Sequence, residues 1–435
     1  MPDRDVSIIV KIAARSDTGD TITGIGEIRA SRSLTGESHD EAFSFASRLA
    51  GAMWGTDFDA SARGRSAARA TEAFVTQHVR GLCGISPGQR LPRSVHPAVR
   101  FGFDCAILDV MARHAGISVV SLLGGAPKDV HLNVAGCDFT QPIALLDALC
   151  HPSRQSLWLR SRFSGIGSAT RDVFAAVEAA SAEGRGVNAG LWFVVGGAWS
   201  AADFAAMLSE LHRFAPHGID VMLEQPFAPI ADAHYRSAFA DIEAGALPVR
   251  IMVEDGLTNG AQSSETGIDE YLPSSDLRVT PQTFGSVNMV LERIAAAREA
   301  GLDGRVYLGN AGRNTSFNTV VLAMLAQLVP DVQYFSARPV VRSTFRQVHP
   351  QAEVSVVDEP NGTAEFLTSP PGQGWGVDLC RSILRNRLIR AEFFRDQQLT
   401  SYDHQMLIEE LILESFDDAT LGVGVLDEED DSIEG

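Results

Sequence analysis

The stretch Val221-Met222-Leu223-Glu224-Gln225-Pro226 decides the fold class of this chain. It is a short apolar run that ends in a carboxylate and a proline, which is typical of a buried parallel β-strand. In a barrel of parallel strands the functional residues lie at the carboxyl ends of the strands, so we expect Glu224 in a site. The alternative interpretation is a strand-end glutamate that only caps a neighbouring loop.

Seven further segments repeat this pattern and alternate with helical segments. With residues 220–227 they make eight predicted strands, the others being residues 131–139, 156–163, 191–197, 249–256, 276–282, 305–312 and 332–339. Ser200 and Ser286 are expected to cap two of the intervening helices. Eight strands alternating with helices over about 210 residues predict an α/β fold, a TIM-type (β/α)8 barrel, with a doubly wound open sheet as the alternative.

The residues before the barrel predict a separate α+β domain. Residues 6–12 and 21–28 form a hairpin around the turn residues Asp17-Thr18-Gly19-Asp20, and helical segments follow. We predict an α+β domain at residues 1–126, partly completed by the C-terminal segment, and the barrel at 127–350. Residues 351–400 form a return segment with a helix at 379–394, and the acidic residues 401–435 form a solvated tail.

Composition narrows the class of protein. The chain has 435 residues, a net charge of -19 and 45% apolar residues, which argues against nucleic acid or an anionic membrane as a partner. Neither a secretion signal nor a membrane-spanning run is visible, and five scattered cysteines suit a reducing compartment, so we expect a cytoplasmic protein. Lys11 and Lys128 are its two lysines, so a lysine base or Schiff base is nearly excluded.

The predicted strand ends supply the candidate site. The catalytic candidates are Glu224, Glu254, Asp255, Arg160 and Arg162. The candidates for substrate binding are Arg278, Thr280, Gln282, Asn310, Arg313, Arg338 and Cys137. Histidine is missing from both sets because all eleven histidines fall elsewhere.

Two features of this set indicate its chemistry. Glu224 and Glu254 end adjacent strands about 4.8 Å apart, so a proton, an arginine or a cation such as Mg²⁺ must relieve their repulsion. Arg160 and Arg162 are two residues apart on one strand and share a face. If that face is the interior, the two guanidinium groups suit a substrate carboxylate or phosphate, whereas on the outer face they would pair with helix acids.

Several motifs, in this order, resemble the enolase superfamily over roughly residues 6 to 395. They are Gly24-Ile25-Gly26-Glu27, residues 98–109 with Leu122-Leu123-Gly124-Gly125, Gly197-Ala198-Trp199-Ser200 and Glu224-Gln225-Pro226. The resemblance implies that residues 1–126 are a capping domain, which starts about one strand later than in the family. It also implies a homo-oligomer, a dimer, and places Glu224 and Glu254 at metal-ligand positions.

Three segments of the later barrel strands are similar to one subgroup of the superfamily: Val253-Glu254-Asp255 with Asn259, Thr280-Pro281 with residues 284–288, and residues 307–315. They resemble methylaspartate ammonia-lyases, which eliminate ammonia from an amino dicarboxylate with Mg²⁺. The chain departs from the family's pattern at decisive places. The third metal-ligand position falls on Val194, the lysine base falls on Thr280, and a Lys-x-Lys pair becomes Arg160-x-Arg162. The expected cofactor is therefore none or Mg²⁺.

Three functions remain open at this point. The first is a divergent enzyme acting on a small carboxylate by elimination, addition or isomerisation next to that group, with arginines replacing metal and lysine. The second is a Mg²⁺-dependent lyase of the methylaspartate type. The third is a non-catalytic protein that keeps the fold as a binding or partner module.

Overall fold

We describe the protein from a computed structural model. The description covers residues 6–32, 34–89, 91–126, 130–131, 134–136, 150, 158–162, 168–183, 190–212, 219–227, 232–245, 247, 249–255, 276–302, 305–309, 316–329, 333–334, 345–347, 366–367, 372–379, 388–395, 398–403 and 421–427. The side chains of Arg160, Arg162, Glu254 and Asp255 lie outside that description, which for these four residues is limited to the backbone.

Two large sheets organise the described part of the chain. In chain order the strands are β1 Val6–Arg15, β2 Thr21–Ile28, β3 Val130–His131, β4 Val134–Gly136, β5 Trp158–Arg162, β6 Gly190–Val194, β7 Val221–Glu224, β8 Val249–Asp255, β9 Asp276–Val279, β10 Val306–Leu308, β11 Gln333–Tyr334, β12 Phe345–Gln347, β13 Phe366–Leu367, β14 Val377–Leu379, β15 Leu388–Arg395, β16 Gln398–Asp403 and β17 Leu421–Asp427.

The helices follow the predicted order. They are α1 His39–Met53, α2 Arg65–Cys83, α3 Pro97–His114, α4 Val119–Leu122, α5 Ser168–Ala182, α6 Ala201–Leu211, α7 Asp232–Gly245, α8 Val287–Glu299 and α9 Ser316–Leu328. The Ser200 side chain accepts a hydrogen bond from the Asp203 amide, and the Ser286 side chain accepts one from the Met289 amide, which confirms both predicted caps. Within the described ranges, no helix combines the length and apolar composition needed to span a membrane.

The first sheet joins both ends of the chain. Its five strands are antiparallel neighbours in the order β16, β15, β17, β1 and β2, and Val6 of β1 lies opposite Asp427 of β17. The prediction of a solvated tail is wrong for residues 401–403 and 421–427, which lie in the strands β16 and β17. The helix predicted at 379–394 is wrong at residues 388–394, because these lie in β15, which pairs with β16 and β17. The predicted domain boundaries themselves stay predictions.

Close packing between β2 and α3 explains the Gly24-x-Gly26 motif. A Cβ atom on Gly26 would overlap the carbonyl oxygen of Gly102, and one on Gly24 would overlap that of Ala106. Any larger residue would push the helix off the sheet, so these positions require glycine.

Two buried carboxylates fasten α3 to its surroundings. Asp104 accepts hydrogen bonds from Thr71 Oγ1 at 2.6 Å and from the Val287 amide at 2.8 Å, which joins α3 to α2 and α8. Asp109 accepts from the amides of Ile25 at 2.9 Å and Trp375 at 2.8 Å. Burial raises the pKa of Asp104 to about 7 and that of Asp109 to about 6, because the charged carboxylate is poorly solvated there.

The second sheet contains the eight predicted barrel strands. They run parallel in the order β4 to β11, as the alternation of strands and helices predicted. The rings of Trp192 on β6 and Tyr307 on β10 lie 5.3 Å apart between centroids. Three strands separate β6 from β10, so in a flat sheet these positions would be about 19 Å apart at the usual spacing. The sheet therefore curls around its interior side chains, as a TIM-type barrel requires.

Alternating residues divide the barrel into an interior and an outer layer. Inside, one apolar cluster consists of Trp158, Trp192, Met222, Met252 and Tyr307. Outside, β5 to β8 pack with α5, α6 and α7 in one core. The helices α8 and α9 and the strands β9 and β10 instead share one continuous core with β1, β2 and the helices α1 to α4. One half of the barrel is therefore built into the capping domain.

Candidate active site

Glu224 ends β7 and lies inside the barrel. It is 2% exposed and shares its strand face with Met222 of the interior cluster. The short apolar run before it pairs with β6 on one side and β8 on the other, so the strand holds its carboxylate at the carboxyl end of the barrel. This is the position predicted from the sequence.

The carboxylate of Glu224 has two described donors. Trp192 Nε1 donates a hydrogen bond to Oε2 at 2.7 Å, and Arg278 Nη1 forms an ion pair with Oε1. The Arg278 side chain is 7% exposed and comes from β9, two strands away, so it crosses the interior to reach its partner. A buried charge is tolerated when it is paired and hydrogen-bonded, and this geometry supplies both conditions. The sequence left open whether a proton, an arginine or a metal cation neutralises Glu224. In the structure an arginine, Arg278, forms the ion pair.

Gly309 gives the Arg278 side chain its room. A Cβ atom on Gly309 would overlap Nε of Arg278 and lie 3.1 Å from its Cζ. The backbone of Gly309 is fixed in turn, because its amide donates to the Val279 carbonyl at 2.9 Å. The guanidinium group therefore lies directly against the backbone at the end of β10.

The residue after Glu224 has a strained backbone. Gln225 has φ +48°, a left-handed conformation that is uncommon for a residue other than glycine. Its amide donates to the Met252 carbonyl at 2.8 Å, and its side-chain amide donates to the Phe227 carbonyl at 3.0 Å and to Tyr235 Oη at 2.9 Å. Such strain costs about 1–3 kcal/mol and is concentrated at functional sites, so this turn is a second indication of a site at the end of β7.

The neighbouring strands place other predicted residues at the same level by backbone register. Val194 pairs with Glu224 and also with Arg162, while Glu254 pairs with Arg278. Val194 packs against the interior cluster and offers no ligand atom. The predicted orientation of four side chains stays a prediction, because these side chains lie outside the description: Arg160, Arg162, Glu254 and Asp255.

The remaining predicted site residues divide into two groups. Thr280 is fully buried where β9 leads into a 3-10 turn. Gln282 is 1% exposed and donates a hydrogen bond to Asn318 Oδ1 at 2.6 Å, which ties it to α9. Four other candidates lie outside the described residues: Cys137, Asn310, Arg313 and Arg338.

A second charged cluster at the opposite end of the strands was missed by the sequence analysis. Asp276 begins β9 and is fully buried between Arg250, at 3.1 Å, and Arg305, at 2.8 Å. Burial raises the pKa of Asp276, and the two arginines counteract that rise. The Arg250 guanidinium also lies 4.8 Å from the ring centroid of Trp158. The available signal was the strict two-residue spacing of Asp276 and Arg278, which places both on one strand face.

The chain is similar to known proteins in its fold, although no match was found by sequence. No protein-family model matches the chain, and no curated protein sequence matches it. A dipeptide epimerase from Cytophaga hutchinsonii, solved with Mg and the dipeptide D-Ala-L-Val, superposes with a TM-score of 0.60 at 15% identity. That match covers 91% of this chain and 98% of the epimerase.

Two more solved structures are similar to the same extent. An N-succinyl Arg/Lys racemase from Bacillus cereus has a TM-score of 0.60 at 14% identity and covers 88% of this chain and 97% of its own. A muconate lactonizing enzyme from Klebsiella pneumoniae has a TM-score of 0.58 at 19% identity and covers 88% and 98%. The chain therefore shares its fold with these enzymes and with a mandelate racemase/muconate lactonizing family protein from Azoarcus sp. EbN1.

The described residues do not fit a magnesium ion at Glu224. Both carboxylate oxygens face hydrogen-bond donors, the indole of Trp192 and the guanidinium of Arg278, and Val194 has no ligand atom. Among the side chains that the structure describes, no three His, Cys, Asp or Glu residues are grouped so that they could hold a metal ion. The resemblance placed a metal ligand at Glu224, and the structure places an ion-paired carboxylate there.

Proposed function

We propose that the protein is an enzyme that moves a proton at the carbon next to the carboxylate of a small carboxylic acid. The observation that carries this proposal is the buried pair of Glu224 and Arg278 at the carboxyl end of the barrel, beside the strained Gln225. A buried charge and a strained backbone each destabilise the folded protein. Here both lie at the face of the barrel where barrel enzymes carry out their chemistry. The structural neighbours, which include epimerases and racemases, support the same class of reaction.

The proposed chemistry uses the residues that the strand ends provide. Arg160 and Arg162 bind the substrate carboxylate through paired N–H donors, and their guanidinium groups stay charged because their pKa lies far above neutrality. Glu254 or Asp255 takes the proton from the adjacent carbon, and the electron pair of that C–H bond moves into the carboxylate to give an enediolate. The guanidinium groups stabilise that added negative charge.

The fate of the enediolate decides the product. Return of a proton to the opposite face of the carbon gives an isomer, whereas loss of a leaving group from the neighbouring carbon gives an elimination product. The ammonia-lyase resemblance of the later strands favours elimination from an amino dicarboxylate as the more specific proposal. Both outcomes begin with the same removal of a proton, so one assay tests them together.

Proton removal can be tested without knowing the substrate. The protein is incubated in D₂O with dipeptides, N-succinyl amino acids and amino dicarboxylates, with Mg²⁺ or with EDTA, and exchange at the carbon next to the carboxylate is followed by ¹H NMR. We expect exchange with at least one class and a loss of at least about 10²-fold in either Glu254→Gln or Asp255→Asn, whichever removes the base. The matched control is Glu243→Gln on the exposed face of α7, which should exchange as the wild type does.

Two results would redirect the proposal. Exchange that is equally fast in Glu254→Gln and Asp255→Asn would remove these two carboxylates as the base. Absence of exchange, together with a thermal shift on adding a carboxylate ligand, would instead identify a non-catalytic binding protein.

A further inference from the structure

A cation that belongs to the chain already lies at the carboxyl end of the barrel. Glu224 is buried with one negative charge, and Arg278 brings one positive charge to the same carboxylate from two strands away. The pair is neutral. A divalent ion placed on Glu224 would have to displace the guanidinium from Oε1 and would then be repelled by that group in a poorly solvated interior.

The surrounding residues are shaped for the guanidinium group. Gly309 leaves the space that Nε and Cζ of Arg278 fill, and the indole N–H of Trp192 donates to the second oxygen of Glu224. Both features favour a carboxylate that accepts hydrogen bonds over one that coordinates a metal. They come from strands on opposite sides of Glu224, β6 and the end of β10, so they are independent observations.

We infer that the Arg278 guanidinium is the resident cation of this barrel and that Glu224 of the folded protein does not hold a divalent metal ion. The inference deepens the proposed function and rests on it for the identity of the site. It makes a definite claim about Glu224: its charge is balanced by an arginine of the chain and not by a bound metal ion.

Binding of Mn²⁺ as a probe tests this claim without any substrate. The ion is titrated into the purified full-length protein, and the bound fraction is measured by electron paramagnetic resonance and by calorimetry. We expect the wild type to show no saturable site. Arg278→Met uncovers Glu224 beside the backbone position of Glu254, so we expect it to gain one site per chain, at least about tenfold tighter than any binding to the wild type.

Three further variants make the result specific. In Arg278→Met/Glu224→Gln the gained site should be lost, because the carboxylate is gone. Arg250→Met is the matched control, since Arg250 also pairs with a buried acid, but Asp276 keeps Arg305 and should gain no site. If Arg278→Met does not fold, Arg278→Gln removes the charge while keeping a donor for Glu224 and is expected to gain the same site.

The outcomes separate this inference from the proposed function. One Mn²⁺ per wild-type chain, lost in Glu224→Gln, would overturn the inference even if D₂O exchange were observed. A folded Arg278→Met or Arg278→Gln protein that gains no site would also overturn it, because the guanidinium would then not be standing in a cation's place. A metal-free wild type that shows no exchange would reject the proposed function and leave the resident cation intact.

Discussion

Glu224 and Arg278 depend on each other, because each is a buried charge that the other neutralises. Glu224→Gln removes a negative charge from beside the buried guanidinium of Arg278, and we expect it to lower the free energy of unfolding by about 3–5 kcal/mol. Glu224→Gln/Arg278→Met removes both charges and should recover most of that loss. Urea unfolding of the two single variants and the double variant measures the coupling, and simple additivity would contradict a direct interaction.

Gly309 should tolerate no side chain while Arg278 is in place. Gly309→Ala forces the new Cβ against the Arg278 guanidinium, so we expect a loss of about 1–3 kcal/mol in the free energy of unfolding. Gly81→Ala is the control, because a Cβ there meets nothing within 4 Å and lies in α2, where alanine favours the helix. Equal effects of the two substitutions in urea unfolding would show that the Arg278 position is adjustable.

At the scale of single residues, the sequence predicted where a side chain lies along its strand better than it predicted which side chains that residue contacts. Glu224 was placed at its strand end because an apolar run followed by an acid specifies where a parallel strand stops. The crossing of Arg278 to Glu224 depends on barrel curvature and on Gly309, neither of which is a local property. The left-handed conformation of Gln225 was not predicted either, because the usual sequence signal for that conformation is a glycine.

The contact of α3 with α2 and α8 should weaken as pH rises. The pKa of Asp104 is raised from the usual 3.8 to about 7, so its contribution to stability is complete below about pH 4 and is lost as pH rises through 7. Between pH 5 and pH 8 we expect the wild type to lose on the order of 3 kcal/mol relative to Asp104→Asn.

Urea unfolding of both proteins at the two pH values measures this difference. Asp203→Asn is the control, since Asp203 is exposed and a hydrogen bond from the Ser200 side chain lowers its pKa, so it stays charged at both pH values. A stability difference between wild type and Asp104→Asn that is the same at pH 5 and pH 8 would show that folded Asp104 is already ionised at pH 5, which would contradict a raised pKa.

The strand β17 should be essential to the first sheet. It lies between β1 and β15 and pairs with both, so a chain ending at residue 420 leaves two strands with unpaired backbone groups. We expect that truncation to lose cooperative thermal unfolding, measured by circular dichroism. A chain ending at residue 427 removes only residues beyond β17 and should melt as the full chain does. Equal melting of both truncated chains would contradict a structural role for β17.

Helices and strands were predicted correctly where the local sequence pattern agrees with the contacts that the segment makes in the fold. The eight barrel strands follow from their apolar runs, and the Ser200 and Ser286 caps follow from a serine placed just before a periodic helix. Residues 388–394 were predicted to lie in a helix at 379–394, because the alternation of strands and helices called for one more helix after the eighth strand. Pairing with β16 and β17, which are remote in the sequence, decides the outcome in favour of a strand.

The two halves of the barrel should differ in local stability. The strands β9 and β10 and the helices α8 and α9 share one core with the capping domain, whereas β5 to β8 and α5 to α7 form a core of their own. Native-state hydrogen exchange followed by mass spectrometry should therefore show slower exchange in α3, α8 and α9 than in α6 and α7. Equal protection across these helices would indicate that the molecule opens as one unit.

The pairing of Val6 with Asp427 has a consequence for how the chain is made. A ribosome releases β1 before the other strands of this sheet and β17 after them, so the nascent sheet lacks its central strand until residues 421–427 have been made. During that time β1 presents open backbone groups beside a hydrophobic face, the kind of edge to which other strands add. Synthesis of residues 421–427, rather than of the last barrel strand, therefore marks the moment at which the first sheet can close.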